Sequence, residues 1–178
     1  MLETKKYHEF KTIFERSSDA MFIMDKLSFV DCNQSALDLL ELTSREDLLA
    51  LRPHEISPQY QPDGESSLEK SRRQYDEVMR NGSSRFEWVH ATSSGKHVPV
   101  EVLLTAFEFD GRNLVHVSLR DISERKLNEK KLEQRNRAIE ASPAGVIILD
   151  MNGCIEYVNP AALQIHGFKS SRELLGQD

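Results

Sequence analysis

Apolar and polar positions change period several times along the chain, and each change predicts an element. Tyr7, Phe10, Ile13 and Phe14 recur at helical spacing, so residues 2–16 read as a short amphipathic helix. Ala20 to Asp25 and Ser28 to Cys32 read as two short strands around a tight turn. Asn33 is placed to cap a helix whose apolar positions are Ala36, Leu37, Leu39 and Leu40, and Ser44 to cap another carrying Leu48 and Leu49. Pro53, Pro58, Pro62 and Gly64 mark an irregular stretch, after which Ser66 to Arg80 is helical and Asn81-Gly82 stops it.

The remainder of this first unit is strand: Ser84 to Thr92, His97 to Phe109 and Leu114 to Ile122, with turns at 93–96 and 110–113. Alternation puts Val98, Val100, Val102 and Leu104 on one face, with Val115, Val117 and Leu119 on the matching face of the last strand. Phe86, Trp88 and His90 share a face in the same way. The predicted fold class is α+β: a five-stranded antiparallel sheet with helices on one face, an N-terminal flanking helix and a C-terminal connector helix. A pocket is expected on the concave face, under the helices around residues 33–50 and 66–80.

The connector is a different kind of chain. Residues 123–137 carry a net charge of +3, between a net −6 over residues 1–122 and −3 over 138–178. They contain no Gly or Pro and mostly good helix formers, with Ser123 where an N-cap would help. The seam Asn128, Leu132, Arg135 and Ile139 is only half apolar, so pairing with a second copy is weakly encoded and a solvated helix is the alternative.

Beyond it the chain repeats itself. Phe14 to Asp25 aligns without gaps on Ile139 to Asp150, at an offset of 125 residues. After a one-residue difference in the turn, Asn33-Gln-Ser-Ala-Leu matches Asn159-Pro-Ala-Ala-Leu, and Ser44-Arg-Glu-Asp-Leu-Leu matches Ser170-Ser-Arg-Glu-Leu-Leu. Residues 139–178 therefore supply two strands and two helices without the three-strand half on which they would pack. Either this unit is the front of a longer domain or it docks on a neighbour. Val146 to Leu149 are accordingly expected to be loosely held.

Composition narrows the function. A chain of 178 residues with 39% hydrophobic and 29% charged positions can fold, but has no room for two full-sized domains. Its net charge of −6 offers no overall field for nucleic acid or anionic lipid, and the +3 connector is interspersed with glutamate. Met1 reads as a natural start, the first residues lack a secretory signal, and no apolar run approaches the ~20 residues of a membrane span. Cys32 and Cys154 form no C-x-x-C pair, which favours a reducing cytoplasm.

The Asp25…Asn33-x-x-Ala36 start, the Trp88…Gly95-Lys-x-x-Pro99-Val-Glu-Val hairpin and the terminal Asp121-Ile122-Ser123-Glu-Arg-Lys together resemble the PAS sensory domains. The last of these is similar to the D-I-T-E-R-K signature that joins many such domains to signalling helices. The resemblance divides the chain into a flanking helix (1–16), a PAS domain (17–122), a helical signalling linker (123–138) and the N-terminal half of a second PAS domain (139–178). It implies a dimerising input module, with or without a small-molecule ligand, upstream of a histidine kinase, diguanylate cyclase or chemoreceptor output absent from this chain. In dimeric relatives such a flanking helix commonly joins the interface, which makes Tyr7, Phe10, Ile13 and Phe14 the candidate dimer residues and a homodimer the expected assembly.

Candidate chemistry is sparse. No nucleophile elbow, metalloprotease helix or phosphate-binding loop is present, so no catalytic residue is assigned and the chain is read as a non-enzyme. No metal site is assigned and no cofactor is required. Flavin photochemistry in light-sensing relatives uses an Asn-Cys-Arg-Phe-Leu-Gln motif that nothing here matches, and Cys32 reads as a small strand-end residue. Haem needs an axial donor facing the pocket. His90 and His54 are the candidates, each more simply a non-ligating histidine.

A small-molecule pocket is walled by Ile23, Leu37, Leu40, Val78, Phe86, Val102, Leu104 and Val117, with Trp88 and His90 supplying N–H groups. The same residues describe an ordinary filled core, and both readings stay open. In the first, ligand binding alters the sheet face at Phe86, Trp88 and Val117, and Asp121 and Ile122 pass the change into the connector. In the second, the chain is a ligand-free dimerisation scaffold; a haem or flavin redox sensor is a third possibility.

Overall fold

A computed structural model describes Glu9 and residues 11–176 and divides into two compact units, Met1–Glu124 and Arg125–Asp178. In the first unit, helix α1 is described over residues 11–16. Strands β1 (Ala20–Asp25) and β2 (Ser28–Cys32) follow, then helices α2 (Gln34–Leu40), α3 (Arg45–Leu49) and α4 (Ser67–Asn81). Strands β3 (Ser83–Ala91), β4 (His97–Phe109) and β5 (Arg112–Asp121) complete the sheet. It is antiparallel throughout, in the order β2-β1-β5-β4-β3. The chain's first strand lies inside the sheet, with β5 central beside it, because β5 returns to pair with it, Phe22 opposite Val117 and Met24 opposite Val115.

Side-chain alternation decides which face is covered. Phe22, Met24, Val98, Val100, Val102, Leu104, Val115, Val117 and Leu119 are all buried on the helix-bearing side. Helix α2 packs on β1, α3 on β2, and α4 on β3 and β4. Leu37, Leu40, Leu48 and Val78 supply the helical part of that core.

Local chemistry explains the boundaries. The Asn33 and Ser44 side chains accept hydrogen bonds from the N–H groups of Ala36 and Asp47, so both act as the N-caps the sequence predicts. Ser66, by contrast, flanks α4 without a side-chain capping bond. Gly82 ends α4 in the left-handed region (φ 81°), where a side chain would be strained. The β4–β5 turn is tighter than the predicted 110–113: Asp110 (φ 50°) and Gly111 (φ 69°) make a two-residue connection, so β5 begins at Arg112.

Helix α5 (Ser123–Glu140) carries the chain from the first unit into the second, and none of its residues is buried. Ser123 is its first helical residue rather than its cap; the Asp121 carboxylate accepts the Ser123 N–H at 2.7 Å. In the second unit, β6 (Ile147–Leu149) and β7 (Ile155–Val158) form a two-stranded antiparallel ribbon. Helix α6 (Pro160–His166) and a 3-10 turn (Ser171–Glu173) follow.

The repeat extends to individual hydrogen bonds. Asn33 donates from Nδ2 to the carbonyls of Phe14 and Asp19, and its Oδ1 accepts from the N–H groups of Met21 and Ala36. Asn159 donates to the carbonyls of Ile139 and Ala144 and accepts from Val146 and Ala162. Each asparagine thus ties the preceding helix, the first strand and the following helix into one knot, with all four of its bonding positions used.

Candidate ligand site

The first unit holds a partly open cavity of about 60 Å³ between the sheet, α4 and the irregular stretch before it. Of the residues expected to wall a pocket, Phe86, Trp88, His90, Val102, Leu104 and Val117 do line it. Leu37, Leu40 and Val78 do not; they are fully packed in the helical core. Ile23 does not either, because alternation along β1 sends Phe22 and Met24 inward and Ile23 to the other face. His54 is likewise absent from the wall.

The wall also includes residues beyond the expected set: Phe22, Met24, Phe29 and Leu119 from the sheet, Ser71, Gln74 and Tyr75 from α4, and Leu27, Pro53 and Ile56 from loops. The sheet members share an alternation face and were legible in principle. Those from the loops were not, because the β1–β2 turn that holds Leu27 and residues 51–65 carry no period to read.

That irregular stretch organises the polar side of the site. Ser57 Oγ donates to the Pro53 carbonyl at 2.7 Å and accepts the Trp88 indole N–H at 2.9 Å. His90 Nδ1 lies 2.8 Å from the Ile56 carbonyl, and the Ala91 N–H donates to that same oxygen at 3.0 Å. Both ring N–H groups expected to point into the pocket are therefore committed to the wall. Gln61 closes the outer edge of β3 by accepting the Val89 N–H and donating to the Val89 carbonyl, at 2.8 and 3.1 Å, as a strand would.

Burial holds His90 neutral, with its pKa lowered to about 4; the hydrogen bond to Ile56 opposes the shift but is the smaller effect. A carbonyl only accepts, so Nδ1 carries the proton and Nε2 is a bare acceptor. Outside the cavity, Lys70 stands 5.6 Å from the centre of the Trp88 ring and pairs with Asp63.

Size limits what the site takes. Pockets for drug-sized ligands run to ~300–1,000 Å³. At about 60 Å³ this pocket is well below that range and matches a molecule of a few heavy atoms. Among the described residues no cluster of three or more His, Cys, Asp or Glu is arranged to hold a metal ion. No described helix is long and apolar enough to cross a membrane.

The signal-relay candidates lie on the strand that walls the cavity. Val117 and Leu119 line it, and two residues further on Asp121 caps α5. Ile122 is buried and donates its N–H to the Pro99 carbonyl at 3.0 Å. Of the dimer candidates, Ile13 is 67% exposed and Phe14 half-buried, while Tyr7 and Phe10 lie outside the described residues.

Comparison with known proteins gives this geometry a context. A PAS domain family model matches residues 18–124, and a second PAS domain model matches 134–178. Over 137 residues the chain is 28% identical to a methyl sulfide methyltransferase-associated sensor of Methanosarcina acetivorans. That alignment covers 75% of this chain but only 13% of the relative. Among solved structures, the PAS domain of a two-component sensor histidine kinase superposes with a TM-score of 0.55 at 20% identity, covering 67% of this chain and 98% of that one. The PAS domain of an HTR-like protein from Haloarcula marismortui superposes with a TM-score of 0.56, also at 20% identity, covering 67% and 93%.

Proposed function

Since this chain belongs to the PAS domain family, we propose that it is the sensory part of a larger signalling protein, reading occupancy of the cavity and relaying it through α5 to an output domain. The observation that carries this reading is that one strand, β5, both walls the cavity with Val117 and Leu119 and ends in the Asp121 carboxylate that caps α5. A ligand preferring one arrangement of β5 biases the first turn of α5, as population shift requires. The relative named as a sensor and the sensor histidine kinase domain of the same fold support a signalling context.

In this reading the chain has no catalysis of its own. It acts as a homodimer, with α1 and the Leu127 and Leu132 positions of α5, 51% and 60% exposed, offering the apolar contacts. A reducing cytoplasm accords with two cysteines far apart in sequence and without a C-x-x-C pair, Cys32 buried and Cys154 partly exposed. The test is amide exchange over residues 121–141 with the cavity empty and saturated; unchanged exchange overturns the relay.

The small cavity also favours a second reading, a dimerisation scaffold whose core needs no ligand. It predicts that filling the cavity with a larger side chain leaves output unchanged, whereas the sensor reading predicts an output locked in one state.

A further inference from the structure

We infer that the cavity selects a short, uncharged, largely alkyl molecule of about two to four heavy atoms, carrying at most one polar atom. This rests on the sensory reading above and adds the ligand's chemistry. The first argument is volume: a dry cavity of ~150 Å³ is enough for benzene, and this one measures about 60 Å³.

The second argument is charge. No Asp, Glu, Lys or Arg stands on the wall. Its one titratable imidazole is held neutral by burial, and an ion entering would find nothing to replace its water.

The third argument is how the wall's polar atoms are used. The Trp88 N–H, His90 Nδ1, the Ser71 hydroxyl and Gln74 Oε1 are each engaged, with Ser57, Ile56, Leu68 and Ser84 respectively. His90 Nε2 and Gln74 Nε2 have no hydrogen-bond partner among the described residues. Both side chains are more than nine-tenths buried, at 6% and 7% exposure. Yet no fully buried side-chain nitrogen or oxygen among the described residues lacks a partner. Neither atom is therefore fully buried. A wall that is almost wholly apolar, with most of its polar groups engaged, suits an alkyl body carrying at most one hydroxyl or carbonyl.

The test titrates the full chain with pairs matched in size and differing in charge: ethanol against ethylammonium, acetone against acetate, with xenon as the purely apolar probe. Methyl resonances of Val102, Leu104 and Val117 and the Trp88 indole N–H report the site. Saturable shifts from the uncharged members are expected, with the charged partners at least about tenfold weaker. V117I and the larger V117F should weaken these shifts in step with the volume they fill; the conservative variant keeps the comparison available where the larger one does not fold. If ethylammonium or acetate bound as well as its neutral partner, the ligand class would be wrong while the sensory reading survived. No shift from any probe would overturn both.

Discussion

Asn33 and His90 show at single-residue scale how this fold spends its polar groups. Asn33 is fully buried with four hydrogen bonds to three elements, so Asn33→Ala strands two N–H and two carbonyl groups. A loss of about 3–5 kcal/mol is expected in denaturant unfolding of the first unit. Asn159→Ala, which breaks the equivalent knot, should leave that transition where it is. His90 is held neutral in the fold, with its pKa at about 4 against an ordinary 6.5. The unfolded chain therefore binds the extra proton first. The contribution of neutral His90 is complete above pH 6.5 and is lost as pH falls toward 4, on the order of 3 kcal/mol in all. His90→Asn, whose amide can still donate to the Ile56 carbonyl, should flatten the stability profile between pH 7 and 4.5 relative to the unaltered protein.

At the scale of elements, the period-2 alternation made the sheet legible from sequence, and Trp88, His90, Val98, Val100, Val102, Leu104, Val115, Val117 and Leu119 are buried as that pattern requires. What failed did so for identifiable reasons. Ile23 is the most β-prone residue of its strand, yet parity rather than hydrophobicity decides its face, and Phe22 and Met24 hold the inward positions. Leu37, Leu40 and Val78 are core residues that helical spacing alone could not separate from a cavity wall. Ser57 and Gln61, which fix Trp88 and the edge of β3, sit in a stretch without periodicity. Their partners are about 30 residues away in sequence. Ser123 stands where sequence suggests the cap of α5, whereas it is the Asp121 carboxylate that accepts the first N–H of that helix. Asp121→Ala should therefore cost about 1 kcal/mol and speed amide exchange at Ser123 and its neighbours, while leaving the β4–β5 ladder protected.

For the whole molecule, the two units differ in how completely they bury their apolar faces. In the first, β1 is covered by α2 and paired on both edges. In the second, the equivalent strand β6 pairs only with β7, and Ile147, Ile148 and Leu149 remain 41%, 44% and 54% exposed, next to a fully exposed Met151. A two-stranded ribbon is marginally stable in water. Hydrogen exchange at Ile147 to Leu149 should thus be far faster than at Val115 to Leu119, and full protection of that ribbon in a monomer would contradict this account.

The central claim is that occupancy of the cavity reaches α5 through β5. The most direct measurement is backbone amide chemical shifts of the full chain, with and without saturating acetone, in the unaltered protein and in Asp121→Ala. The account predicts shifts at Val117 and Leu119 in both proteins, continuing to Ser123 and the following turn of α5 only where Asp121 is present. Shifts confined to the cavity in both, with α5 indifferent to its state, would contradict it.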